Sequence, residues 1–304
     1  MPDILGKYWN GNYGVILYKD GTKVRIGPDD GLRPAFPESM DLKITNYCNM
    51  GCRMCHEDST VNGRHGDILN LPFIDTMSPY TEIAIGGGNP LSHPDIIRFL
   101  NKLKERRLVA NMTVNQHHFM GAKEFIRYLC DHDLVHGLGV SLAEKPDAYF
   151  IREMAQYPNA VLHVIAGVVK VEDLELLKNK GLKLLILGYK QFRRGAAYYS
   201  KEVEKSIADL YDKIPDVIRW FDVVSFDNLA IKQLDVKRLM SEDEWGQFYM
   251  GDDGTFTMYV DAVNREFAVS SVSENRYPLE SSIWKMFETV KEAANEQRAA
   301  EKAV

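Results

Sequence analysis

The chain is 304 residues long, 45% hydrophobic, and carries a formal net charge of −6 at pH 7. That length accommodates one large α/β domain with a sizeable core, and no apolar run approaches the ~18 residues a membrane span requires. An acidic balance argues against broad nucleic-acid binding, which draws on a basic surface, without excluding a nucleoside substrate.

Residues 14–26 have the form of a β-hairpin, two β-rich runs around Lys19-Asp20-Gly21, where Asp-Gly is a strong turn signal. A proline-bearing link at 31–37 completes an N-terminal segment, 1–38. Residues 39–45 alternate and are β-rich, which predicts the first strand of the main domain. Strands at 82–85, 109–114, 137–142, 160–167, 182–187 and 222–226 follow. Helices are expected at 94–107, 122–130, 146–155, from 171, and at 203–214. This alternation indicates βα units and a parallel sheet. The count is too low for a closed eight-fold barrel and fits an open, partial (β/α)6 TIM-like barrel over 39–234. The rest, 235–304, holds a second hairpin (248–260 with 266–270) and a terminal helix from Ile283, as an extension packed on that core.

Three of the four cysteines, Cys48, Cys52 and Cys55, fall within eight residues, at the C-terminal end of the first main strand. Thiolates are the usual protein ligands of iron–sulfur clusters, and three of them leave one iron of a cubane open for something other than protein. Three rival readings weaken on inspection. Cys52-Arg-Met-Cys55-His56 also has the form of a c-type haem attachment, but that leaves Cys48 idle and needs an exported protein, and residues 1–10 contain no apolar h-region or cleavage site. A zinc site needs a fourth ligand: His56 adjoins Cys55, which makes joint ligation awkward, and no second C-x-x-C or H-x3-H pair exists. A thioredoxin-type pair explains neither Cys48 nor the run Gly86-Gly87-Gly88-Asn89-Pro90 after the second strand. Those glycines add no packing to a strand but let backbone approach a ligand closely; alone, they read as a flexible βα turn. Cys130, in an amphipathic helical stretch, reads as a small buried hydrophobe. Few, clustered cysteines without a signal peptide point to a reducing cytoplasm.

The C-x3-C-x2-C spacing, followed by the glycine run, resembles the signature of the radical S-adenosylmethionine (radical SAM) superfamily. The resemblance covers roughly 39–228 and implies the (β/α)6 core. It implies a [4Fe–4S] cluster with Cys48, Cys52 and Cys55 on three irons, and SAM chelating the fourth through its amino and carboxylate groups. It further implies an external electron donor such as flavodoxin or ferredoxin. The donated electron splits the sulfonium and releases a 5′-deoxyadenosyl radical that abstracts hydrogen from a substrate. Met54 stands where the family often has an aromatic residue, and is bulky and apolar enough to cover one side of the cluster. Gly86, Gly87, Gly88 and Asn89 match the G-G-E-P segment that meets the SAM amino group, with Asn89 in place of glutamate. Asn115 and Ser141, at the ends of middle strands, match positions that meet the ribose and carboxylate; an ordinary turn role stays open for both. Residues 163–167 resemble the G-x-I-x-G adenine segment. Ile165 and Gly167 then lie at the adenine edge, Leu187 covers the other side, and His163, replacing the first glycine, has no role.

Candidates to face the substrate are Gln116, His117, Tyr189, Lys190, Asp227 and Asn228, on the rim of the later strands. A small molecule or peptide is the first expectation, and a nucleoside or nucleic-acid base the second. Outside enzymes, the alternative is a non-catalytic iron–sulfur or zinc protein of electron transfer or regulation, which would leave the glycine run unexplained. No cysteine follows Cys130, so auxiliary clusters are not expected.

Overall fold

The Asp20-Gly21 turn closes a hairpin that belongs to a larger unit. In the computed structural model, which describes residues 3–302, β1 (Ile4–Asn10), β2 (Tyr13–Tyr18) and β3 (Lys23–Ile26) form a three-stranded antiparallel sheet in that order. The expected hairpin therefore gains a strand. β1 carries no apolar alternation because its buried positions are Gly6 and Asn10, while Trp9 is 75% exposed. The extreme positions of segments 1–38 and 235–304 (1, 2, 303 and 304) lie outside the described residues.

The second sheet is mixed, large and mostly parallel. β4 (Ser39–Thr45), β5 (Glu82–Gly87), β6 (Val109–Asn115), β7 (Gly137–Ser141), β8 (Ala160–Ile165), β9 (Lys183–Leu187) and β10 (Val223–Phe226) lie side by side in chain order. Their connections carry α1 (Ile96–Glu105), α2 (Gln116–Gly121), α3 (Lys123–Asp131), α4 (Ala148–Met154), α5 (Val171–Leu176), α6 (Arg194–Tyr198) and α7 (Lys201–Val217). α8 (Asn228–Gln233) and α9 (Glu242–Phe248) follow. The expected tail hairpin forms between β11 (Thr257–Asp261) and β12 (Glu266–Ala268), but β11 also pairs in parallel with β4, on the side away from β5. β13 (Tyr277–Pro278) ends the sheet, and α10 (Ile283–Lys302) ends the described chain. The order is β10-β9-β8-β7-β6-β5-β4-β11-β12-β13, and its two ends do not pair, so no closed barrel forms among the described residues. The first tail strand starts at Thr257 rather than 248, because α9 occupies that position. No helix among the described residues is long and apolar enough to cross a membrane.

Alternation along the strands separates two faces. Met40, Leu42 and Ile44 of β4, Ile83 and Ile85 of β5, and Val140, Leu162 and Ile186 further along join the hydrophobic core with the helices. The other positions, among them Asp41, Lys43, Ala84, Gly86, Thr113 and Ser141, line a cavity.

β3 is tied to the beginnings of the main strands by buried charge. Glu38, fully buried before β4, accepts from Arg25 at 2.8 and 2.6 Å and from the Tyr13 hydroxyl at 2.6 Å. Lys23 bridges Glu38 (3.2 Å) and Glu82 (2.6 Å). Burial opposes ionisation of Glu38, but the Arg25 hydrogen bonds and the Lys23 and Arg25 charges outweigh it and hold the carboxyl below its ordinary 4.5. A depressed carboxyl stabilises the fold above the unfolded-state pKa, and loses that contribution as pH falls through the folded value. Glu38→Gln is expected to cost about 3 kcal/mol at neutral pH by leaving the partly buried Arg25 without its carboxylate, while Lys23 keeps Glu82. Urea denaturation of both proteins should give a gap that narrows towards pH 3; a gap constant with pH would contradict the assignment.

Candidate active site

A cavity of about 600 Å³ opens at the C-terminal ends of the parallel strands. One wall is the loop that leaves β4. Thr45 closes that strand by accepting from the Tyr47 amide at 3.0 Å and pairing with His65 Nδ1 at 2.9 Å. The loop then folds back on itself: Asn46 N donates to Arg64 O (2.8 Å), Cys48 N to Thr60 O (2.9 Å) and Thr60 N to Asn46 O (3.0 Å). Cys48, Cys52 and Cys55 are free, half-buried thiols that all line the cavity. Burial, and then repulsion from Cys55 and Cys48, pushes the Cys52 thiol up; burial also raises Cys48. Among the described residues no three His, Cys, Asp or Glu side chains are gathered to share a single metal ion, as a zinc site requires. A cubane sets a looser demand, since each thiolate binds its own iron. Three free thiols around one cavity fit that donor set.

The glycine run forms the adjoining wall, and its three members do different things. Gly87 has φ +110°, and a Cβ there would lie 2.4 Å from Thr45 O; at Gly88 it would lie 2.2 Å from Tyr47 O. The run binds the same backbone, Gly88 N donating to Thr45 O and Asn89 N to Tyr47 O, both at 2.7 Å. Gly87 and Gly88 are therefore required by close packing on the entrance to the cysteine loop. At Gly86 a Cβ would meet open space, so this glycine bares backbone to the cavity.

Beneath the cysteine loop lies a buried ionic network. Lys43, with a side chain 1% exposed, sits 2.8 Å from Glu57 Oε2 and 3.2 Å from Asp261 Oδ2. The Tyr259 hydroxyl donates to Glu57 Oε1 at 3.1 Å, and Arg193 lies 3.8 Å from Glu57 Oε2. Burial opposes the charge on Glu57, yet the Lys43 ammonium prevails and holds the carboxyl below its usual range. The loop after β9 and α6 strap the cysteine loop: Arg193 donates to Glu57 O (3.1 Å), Arg194 to Ser59 O (2.9 Å), and Arg53 lies over the Tyr198 ring at 5.0 Å.

The sequence-derived candidates divide. Cys48, Cys52, Cys55, Gly86, Gly87, Gly88, Asn115, Ser141, Ile165, Leu187, His117 and Lys190 all line the cavity. The others are engaged elsewhere. Asn89 caps a short helical turn, accepting from Leu91 N at 3.2 Å and donating to Ser92 Oγ at 2.7 Å. Gly167 packs under α7, where a Cβ would meet Val203 at 2.7 Å. Gln116 accepts from the Ala143 and Glu144 amides (2.9 and 3.1 Å), and the buried Tyr189 hydroxyl donates to Gly195 O (2.8 Å). Asp227 caps α8, and Asn228 donates to Asp253 at 2.7 Å. Asn115 combines both roles, lining the cavity while capping α2 through His117 N. His163 is held neutral by burial, with its pKa pushed down to about 4.

Sequence reasoning missed Asp41, Lys43, Glu57, Tyr259 and Asp261. A signal existed for the first two: polar residues at alternate positions of the strand that ends in the cysteine loop. Tyr259 and Asp261 have none, since only the pairing of β11 with β4 brings them near.

No protein-family model matches this chain, and no curated protein matches it. Among solved structures its fold is similar to that of SuiB from Streptococcus suis. For SuiB bound to S-adenosylmethionine the TM-score is 0.58 at 12% identity, over 95% of this chain and 85% of SuiB. For SuiB bound to the precursor peptide SuiA it is 0.57 at 12% identity, over 84% of this chain; there the chain spans only 65% of the SuiB length. For SuiB alone it is 0.54 at 13% identity, over 95% and 86%. At such identity the likeness is one of fold.

Proposed function

We propose that this chain is a radical SAM enzyme whose Cys48, Cys52 and Cys55 hold three irons of a [4Fe–4S] cluster. The observation that carries this reading is that the three free thiols and the open backbone at Gly86 line one cavity at the C-terminal ends of parallel strands. When bound, the cluster and SAM supply a 5′-deoxyadenosyl radical for hydrogen abstraction. The chain's own residues shape the chamber. Gly86 offers backbone to the SAM amino group, Asn115 and Ser141 offer polar atoms to its sugar and carboxylate, and Ile165 and Leu187 flank the adenine. In this reading the open sheet is a partial barrel, with 39–234 as its core, 1–38 beneath it and 235–304 along its first strand. The solved complexes of SuiB with S-adenosylmethionine and with a precursor peptide support SAM as ligand and a peptide as substrate, with a small molecule the next choice. A flavodoxin- or ferredoxin-type donor in a reducing cytoplasm completes the reading.

Anaerobic reconstitution with iron and sulfide tests it. The protein should take up about four irons per chain and release 5′-deoxyadenosine from SAM under a strong reductant. Uptake without SAM cleavage or SAM binding would favour the non-catalytic alternative.

The glycines allow a sharper check. Gly86→Ala places its methyl in open space, so the melting temperature should hold while SAM affinity falls about tenfold. Gly88→Ala drives a methyl into the Tyr47 carbonyl and should cost about 1–3 kcal/mol of stability. Calorimetric SAM titration and thermal melts read the two separately, and equal effects on both would remove Gly86 from the SAM site.

A further inference from the structure

We propose that Asp41 anchors a cationic group of the substrate, an ammonium or guanidinium on an aliphatic stem, at the floor of the cavity. The proposal rests on the reading of this cavity as the substrate chamber.

Asp41 lies on β4 between Ala84 of β5 and Tyr259 of β11. With a strand on each side it is nonetheless exposed, and the space it is exposed to is the cavity it lines. It stands four residues before Thr45, roughly 13 Å down the strand at ~3.3 Å per residue. A group that pairs with it must extend down into the cavity, as the cationic end of a substrate bound in the chamber does.

The charges around it favour a cation. Glu57 from the cysteine loop, Asp227 after β10 and Asp253 before β11 all act against its ionisation, and Lys190 after β9 is the one cation favouring it among these neighbours. The other carboxylates are engaged. Glu57 has Lys43, Asp227 accepts from the Gly188 and Ala230 amides (2.8 and 2.7 Å), and Asp253 accepts from Asn228. Lys190 is turned to Ser271 Oγ at 3.0 Å. Among the described residues Asp41 alone of this group has no hydrogen-bond partner, and burial pushes its carboxyl up to about 6. A carboxylate left bare on the wall of a cavity gains a partner when a cation arrives. A neutral or anionic occupant leaves it uncompensated.

The test uses anaerobically reconstituted protein with SAM present. Calorimetry measures binding of Nα-acetyl-lysine methylamide, Nα-acetyl-arginine methylamide and the neutral isostere Nα-acetyl-norleucine methylamide. At pH 8 one of the two cations should bind at least about tenfold tighter than the isostere. Asp41→Asn should erase the preference, and Asp41→Glu should retain part of it. In the unmodified protein the preference should decline as pH is lowered through about 6, where Asp41 takes up a proton. Equal binding of cation and isostere, a preference surviving in Asp41→Asn, or one independent of pH overturns the anchor. Iron content and SAM binding are read in the same samples. Their loss from the unmodified protein would count against the radical SAM reading, and their presence confines any failure to Asp41.

Discussion

Cys52→Ala is expected to fold normally, lose most of its iron, and cleave SAM more than ~100-fold more slowly than the unmodified chain, beyond what losing a mere supporting residue costs. The side chain is half-buried and lines the cavity, so truncation leaves no sealed void in the core. The main-chain bond from Cys55 N to Cys52 O (3.3 Å) does not involve the sulfur and survives. What is lost is one thiolate of three. Cys130→Ala is the matched control, because that thiol sits on α3 beside a separate pocket and has no part in the loop. Iron and sulfide analysis, melting temperature and 5′-deoxyadenosine formation should be measured on both. A Cys52→Ala protein with full iron and undiminished SAM cleavage would end the cluster assignment.

The second large effect lies one layer deeper. Lys43→Met keeps the length and volume of the stem but removes the ammonium between Glu57 and Asp261, leaving buried Asp261 without a cation and Glu57 with only the more distant Arg193. Breaking a buried ion pair on one side costs about 3–5 kcal/mol, a large share of a typical domain's stability. Glu57 also belongs to the cysteine loop, two positions after Cys55, so the variant should retain iron poorly as well as unfold early. Denaturation of the metal-free protein isolates the first effect, and iron retention after reconstitution reports the second. Lys43→Met combined with Glu57→Gln should recover part of the lost stability, because the two sites share one interaction. A single variant within about 1 kcal/mol of the parent would show that the network carries no stability.

The sequence is most readable where structure is local. β4 runs over 39–45 as the alternation predicts, and the expected βα order holds through β10. Short helices such as α2 and α6 escape because five or six residues carry too little periodicity to register. The glycine run was legible as a site of close approach, but not that two of its members pack on the chain itself. Tyr189 and Asn89 illustrate the converse: each follows a strand end, where function concentrates, yet each spends its polar atoms on nearby backbone or side-chain partners. The acid at Asp41 passed unnoticed because a polar residue in an alternating strand is usually solvated, and here the solvent side is a chamber.

The parallel seam between β4 and β11 joins segments far apart along the chain. Glu57 and its Tyr259 hydrogen-bond partner are 202 positions apart, so the cysteine loop is made well before its underpinning. Contacts of such separation carry a high loop-closure cost and form slowly. Until β11 docks, β4 presents an unpaired edge, and the cysteine loop that follows it lacks the Tyr259 and Asp261 partners of Glu57 and Lys43. On the reading proposed above, iron loading follows this docking: a chain shorter than about 261 residues lacks Tyr259 and Asp261, the support beneath the cysteine loop.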